Sequence, residues 1–269
     1  DALASVGSSS SVQFLVLGFC IGCCAGFGVP VARYFGAGDH RTMRNYIFNG
    51  AVLTAIIAAI LMIACSLSCG QILHLLSVPD DIFGNAYVYL IVIFIGIPFT
   101  LLYNYLSSIL RSVGDSRTPF LFLGFSAVLN IFLDLFCIIV LKWGCMGAAI
   151  ATITAQAISG ILCFFYIRGK MQLLRLEKEN MIVQKDAVKE LLGMGLPIGF
   201  QFSITAIGSM VMQAANNGLG SIYVSAFTAA MRIKQFLLCP FDAIGTAASV
   251  FCSQNLGARQ ADRIKKGGT

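Results

Sequence analysis

FLFLGFSAVLNIFLDLFCIIVL, residues 120–141, is the stretch on which the fold turns. It is 22 residues long and carries one charge, Asp134. As a helix rising ~1.5 Å per residue it reaches ~33 Å, enough to cross a ~30 Å hydrocarbon core. Transmembrane β-strands are ~10 residues long and alternate apolar with polar side chains. This run does neither, so it reads as a helix. After Lys142 comes a second such run, MGAAIATITAQAISGILCFFYI, residues 146–167. Two membrane-length helices joined by so short a link must lie side by side.

Working outward, further apolar runs occupy residues 11–34, 46–69, 87–110, 191–215 and 221–252, giving seven in all. The expected fold is an all-α, polytopic transmembrane bundle. Composition agrees, since 58% of the 269 residues are hydrophobic and 11% are charged, against ~25% charged in soluble domains. Thr118-Pro119 reads as a helix cap followed by proline at the first helical position, opening the run that begins at Phe120. Pro98 and Pro197 fall in or near their runs, a break that membrane helices tolerate where neighbours satisfy the freed carbonyl.

The basic residues give the sidedness. Fifteen Lys and Arg fall in alternate gaps and in the tail, at Arg33, Arg41 and Arg44, at Arg111 and Arg117, from Arg168 to Lys189, and from Arg259 to Lys266. The intervening gaps hold only Lys142. By the positive-inside rule the fifteen are cytoplasmic, with Asp1 outside. The net charge of +6 therefore belongs to membrane loops rather than to a nucleic-acid surface. Cys20, Cys23 and Cys24 invite a metal reading, but no His or carboxylate lies near to complete four ligands. They read as small apolar helix residues. No phosphate-binding Gly-Lys-Ser/Thr loop, His-Glu-x-x-His or nucleophile elbow is present.

A sparse echo links Tyr34-Phe35-Gly36-Ala37 to Asn255-Leu256-Gly257-Ala258, about 220 positions later. Six runs separate the two copies, so both share one orientation, as in transporters built from parallel repeats. On this reading the chain is a fragment, with a helix expected before Asp1 and more after Thr269.

Charge inside the membrane costs at least ~2.5 kcal/mol at a helix centre, so it marks candidate sites. Asp134 is the strongest. Asn130 sits one turn before it on the same face, and Thr152, near the outer start of the next run, lies at a similar depth. Gly144, Gly147, Ala148, Ala149 and Ala151 are small enough to let the two helices approach closely. A carboxylate, an amide and a hydroxyl at one depth suit a hard monovalent cation or a proton; a structural clamp between helices is the plainer reading. Gln201, Gln213 and Asn217 give the sixth run a polar stripe, either a substrate path or a helix contact. Arg232 and Lys234 either snorkel to the interface or line a path for an anion. Asp242 is either a second cavity carboxylate or an interfacial one.

Several segments together resemble the multidrug and toxic compound extrusion (MATE) family of efflux transporters. They are Val31 to Asp39, Gly114-Asp115-Ser116-Arg117-Thr118-Pro119, Asn130 to Asp134, Gly147 to Thr152, Gly195-Leu196-Pro197 and Gln254 to Ala258. The resemblance implies helices 2 to 8 of a twelve-helix protein with two six-helix lobes. Residues 1–170 would be the N-lobe part, 171–190 a cytoplasmic linker, and 191–269 helices 7 and 8 of the C-lobe. It implies a cation site at Asn130, Asp134 and Thr152, with Na+ as the metal it would take, completed in the family by an Asp on helix 1. A Glu that another branch carries on helix 7 aligns near Thr205, which is not acidic. The function implied is a secondary antiporter, not an enzyme, exporting organic and often cationic compounds in exchange for Na+ or H+. No cofactor beyond that ion is implied. The expected surroundings are a bacterial inner membrane, small organic substrates, no nucleic acid, and a monomer. The alternatives are a lipid-linked oligosaccharide flippase of the same superfamily, with Arg232 and Lys234 as its only hint, or a fragment inactive on its own.

Overall fold

The computed structural model describes residues 2–75, 80–217 and 221–267, and no strand occurs among them. The helices are α1 (Ala2–Gly36), α2 (His40–Leu75), α3 (Asp80–Ile95), α4 (Ile97–Ser112), α5 (Arg117–Leu135), α6 (Gly144–Lys170), α7 (Lys185–Asn217), α8 (Ser221–Gly257) and the short α9 (Ala261–Gly267). Six are long and apolar enough to span a membrane alone, and α3 with α4 makes a seventh span bent by 44°. The chain is a multi-pass α-helical membrane protein. Asp1 lies outside the described residues.

The run at residues 87–110, read as one helix, is thus broken. The break falls at Gly96, where an added Cβ would strike the side chain of Ile153 on α6. Two residues later Pro98 cannot donate to the carbonyl four residues back. Close approach and a missing donor together place the bend. The α5 span ends in a π-helical stretch, Phe136–Val140. The Thr118 cap is also corrected. The α5 helix begins at Arg117, and its capping acceptor is the Asp115 carboxylate, which accepts from the Thr118 backbone N–H at 3.0 Å.

The same device opens α2, where Asp39 Oδ1 accepts from the Thr42 N–H at 3.0 Å. The Thr42 hydroxyl and backbone bonds hold the Asp39 carboxyl below the usual carboxylate range. The two sites share a pattern, Gly38-Asp39-His40-Arg41-Thr42 and Gly114-Asp115-Ser116-Arg117-Thr118. In both, the glycine takes a positive φ, +73° at Gly38 and +91° at Gly114. Each closes the preceding helix with a 6→1 bond, from Asp39 N to Tyr34 O and from Asp115 N to Leu110 O. A third turn, after α8, repeats the closure with Gln260 N donating to Asn255 O, but Arg259 holds the positive φ at +55°. All three turns lie at the arginine-rich end.

Among the described elements α1 packs most extensively on α7. The reason is glycine against glycine. Gly22 and Gly26 are one turn apart on α1, as are Gly195 and Gly199 on α7. A Cβ on Gly22 would lie 2.8 Å from the Gly199 Cα, and one on Gly26 would lie 2.5 Å from the Gly195 Cα. Gly195 in turn receives the Phe27 ring and Gly199 receives the Cys23 sulfur. Lipid tails offer no hydrophobic drive for helices to associate, so backbone approach of this kind holds them by dispersion. Cys20, Cys23 and Cys24 are buried in this contact region.

At the arginine-rich end of α1, the two echoing turns meet, that of α1 against that of α8. A Cβ on Gly36 would overlap the Gln254 carbonyl, and one on Gly257 would overlap the Arg33 carbonyl. In the echo Arg33 corresponds to Gln254 and Gly36 to Gly257, so the contact is reciprocal. Polar bonds close the same end. The Gln254 amide donates to Ser112 O at 2.8 Å, and Arg33 pairs with Glu190 of α7 at 2.6 Å. The Tyr46 hydroxyl donates to the other Glu190 oxygen at 2.5 Å.

Between α6 and α7 the chain is irregular apart from two short 3₁₀ turns, and residues 185–190, assigned to the linker from sequence, are helical. Irregular backbone against a bundle needs partners for its amide groups. Two asparagines one turn apart on α2 supply them. Asn45 donates to Asn180 O at 3.1 Å and Ile182 O at 2.8 Å. The Asn49 amide donates to Ile182 O at 3.1 Å, and its carbonyl accepts from Gln184 N at 3.1 Å. Arg44 adds an ion pair to Glu177 at 2.6 Å.

Candidate functional site

The polar residues of α5 and α6 meet through their small neighbours. Gly147 faces Cys137, where an added Cβ would lie 2.9 Å from the cysteine Cβ, and Ala149 and Ala151 are fully buried. Gly144 acts differently from expectation. An added Cβ there would meet nothing, and its role is the positive φ of +54° that turns the chain into α6.

Across this seam the Asn130 amide donates to the Thr152 hydroxyl at 3.4 Å. Thr152 donates to Ala148 O at 3.0 Å, which fixes its rotamer. Asp134 lies one turn beyond Asn130, and its Oδ1 is buried with no hydrogen-bond partner among the described residues. A buried acceptor without a donor costs about 1–3 kcal/mol, more when charged. Such a group is a strain point unless a proton or cation meets it. The carboxylate, amide and hydroxyl are hard donors of the kind Na+ accepts, so the residues present fit that ion or a proton.

Sequence reading missed two nearby groups. Tyr89 of α3 lies within electrostatic reach of Asp134, and its hydroxyl donates to Gln13 of α1 at 3.3 Å. Neither residue stands out in sequence, because Tyr and Gln are common at helix contacts. Four spans thus contribute polar groups to one region.

The other candidates do not join it. Gln201 is exposed on α7, where its backbone carbonyl accepts from Thr205 at 2.9 Å. The side chains of Gln213, Asn217 and Arg232 lie outside the described residues. Lys234 lines a small cleft of about 280 Å³ between α7 and α8 with the neutral Thr205, Ser209 and Met212. Asp242 is exposed on α8. Lys234 has no other basic residue beside it in that cleft, so no grouped basic lining of the kind a flippase needs forms there.

The sequence profile of the MatE family matches residues 1–136 and 197–267. A relative from Bacillus subtilis (strain 168), the "Probable multidrug resistance protein YpnP", is 31% identical over 98% of this chain and 59% of its own length. The chain therefore spans about three fifths of such relatives. A solved structure described as the outward-facing conformation of a multidrug resistance MATE family transporter of the MOP superfamily superposes with a TM-score of 0.91 at 23% identity, over 98% of this chain and 59% of that one. The inward-facing conformation of such a transporter superposes with a TM-score of 0.80 at 22% identity, over 98% and 60%.

Proposed function

Because the chain belongs to the MatE family, whose members are membrane transporters and not enzymes, we propose that the complete protein is a cation-coupled antiporter that exports small organic compounds. The likeness to a probable multidrug resistance protein of Bacillus subtilis supports a multidrug substrate range. One observation carries the coupling role, the buried and partnerless Asp134 Oδ1 one turn from the Asn130–Thr152 bond. Asp134 takes up Na+ or a proton, and Asn130 and Thr152 supply neutral oxygens. Tyr89 and Gln13 extend the polar wall toward α1.

The coupling follows from charge. An ionised Asp134 in a low-dielectric bundle favours a conformation that wets it. The neutralised group favours one that buries it. Export then requires two conformations that bind the ion differently, reached by rocking of two lobes, with residues 1–170 in one and 191–269 in the other. The glycine contact of Gly36 and Gly257, with the Arg33–Glu190–Tyr46 cluster, closes the arginine-rich end in the conformation described. The better superposition on an outward-facing transporter supports the same state. The setting proposed is a bacterial cytoplasmic membrane, with the arginine-rich turns inside and the protein monomeric.

The test is Asp134→Asn in the complete protein. It keeps shape and polarity and removes the switchable charge, so insertion and abundance stay near wild type while export falls to background. Asn130→Ala and Thr152→Ala weaken ion dependence less, because each removes one neutral ligand. Cells expressing each variant at equal level are compared for resistance to a compound the wild type exports. Unchanged resistance with unchanged ion dependence in Asp134→Asn would show that Asp134 is a structural clamp.

A further inference from the structure

A second feature lies away from Asp134. The face of α2 that carries Ala51, Ala55 and Ala58 is stripped to methyl groups at helical spacing. Opposite it stand Phe99 and Leu102 of α4 and Phe164 of α6. The mismatch leaves an apolar crevice of about 750 Å³. Phe99 and Phe164 are exposed at its rim, so it opens on the outer surface of the bundle, where lipid lies. Along α2 it runs from Ile47 to Met62, about 22 Å of helix. One leaflet's share of a ~30 Å core is about 15 Å. The crevice is therefore long enough to take an acyl chain through the full depth of one leaflet.

Its end is chemically distinct. The irregular segment between α6 and α7 floors it with Leu174 and Leu176, and Arg168 and Arg175 line the same end. The nearby arginines Arg33 and Arg44 each have a glutamate within 2.6 Å. Arg168 and Arg175 take part in no ion pair among the described residues. Two uncompensated guanidiniums at a membrane boundary, above an apolar slot, match a phosphate on an acyl chain.

We propose that this crevice binds one anionic phospholipid from the leaflet on the arginine-rich side, with the phosphate between Arg168 and Arg175 and an acyl chain along Ala51, Ala55 and Ala58. The lipid then tethers the linker to α2 and α6, away from the transport pathway.

The complete protein, purified in detergent and stripped of lipid, is titrated with phosphatidylglycerol or phosphatidylcholine and read by native mass spectrometry. The wild type retains one phosphatidylglycerol at least tenfold more tightly than phosphatidylcholine, and millimolar inorganic phosphate does not displace it. Arg168→Gln with Arg175→Gln abolishes the preference. Ala55→Trp blocks the slot from its exposed rim and loses the lipid with both arginines intact. Equal retention of the two lipids by the wild type overturns the proposal, as does undiminished retention by Ala55→Trp. So does no retention at all, the result if another stretch of the complete protein fills the crevice. Displacement by free phosphate would show that the arginines hold an inorganic anion instead.

Discussion

Gly36→Ala is a sharp probe of how α1 and α8 meet. A methyl there would overlap the Gln254 carbonyl oxygen and lie 2.6 Å from the carbonyl carbon and 2.7 Å from the Cα. All three atoms are backbone, so no rotamer change relieves the overlap. The helices must part by about 1 Å at this level, and forced overpacking of this kind costs about 1–3 kcal/mol. A conformation in which the ends are apart does not pay that cost. The equilibrium therefore shifts toward separated ends by roughly 5–150-fold. The measurement is electron–electron distance spectroscopy on the complete protein, with native cysteines replaced and spin labels at the exposed positions 41 and 262. Wild type shows a short distance as its main population, and Gly36→Ala moves population to a longer one. Gly257→Ala does the same, because its methyl would strike the Arg33 carbonyl. The double variant adds less than the sum of the two, since either methyl alone already separates the contact. A distance distribution unchanged in Gly36→Ala would refute the claim that these glycines set the approach.

Two further outcomes concern the turns. Arg259→Gly relieves a side chain held at φ +55° and stabilises the end of α8 by about 1 kcal/mol, seen as slower hydrogen exchange at the amides of residues 258–261; faster exchange there would count against the left-handed strain. The Asp39 carboxyl is held below its ordinary range by Thr42, so its contribution to the start of α2 is fully present above about pH 4 and is lost as pH falls through its lowered value. Asp39→Asn removes that pH dependence from the exchange of the Thr42 amide, whereas a profile identical to wild type would exclude the cap as its source.

The spans were legible in the sequence because lipid demands long apolar runs whatever they pack against. The Asn130, Asp134 and Thr152 grouping was legible in part, since helix periodicity fixes that Asn130 and Asp134 share a face. Its neighbours Tyr89 and Gln13 were not, because they reach it from helices whose rotation only packing sets. The Thr118 cap was misassigned because Thr-Pro is a strong local signal, while the Asp115 carboxylate three residues earlier accepts from the Thr118 N–H itself and starts the helix sooner. The doubled Gly-Asp-x-Arg-Thr pattern was visible at positions 38 and 114 but gains its meaning from the matching φ values. The hold of Asn45 and Asn49 on the linker joins residues about 135 positions apart, a separation no local pattern encodes.

The glycine contact of α1 with α7 also sets a clock on assembly. Gly26 and its partner Gly195 are about 170 residues apart. At about 5–20 residues per second of synthesis, α1 waits roughly 10–35 s in the membrane before α7 is made. Through that interval its bare Gly22–Gly26 face stands open, and small-x-x-x-small faces pair helices with whatever similar face is near. The nascent chain is most exposed to pairing with a second copy of itself before its own α7 span emerges. Slowing translation between residues 170 and 195 should lengthen that window and lower the yield of correctly assembled protein.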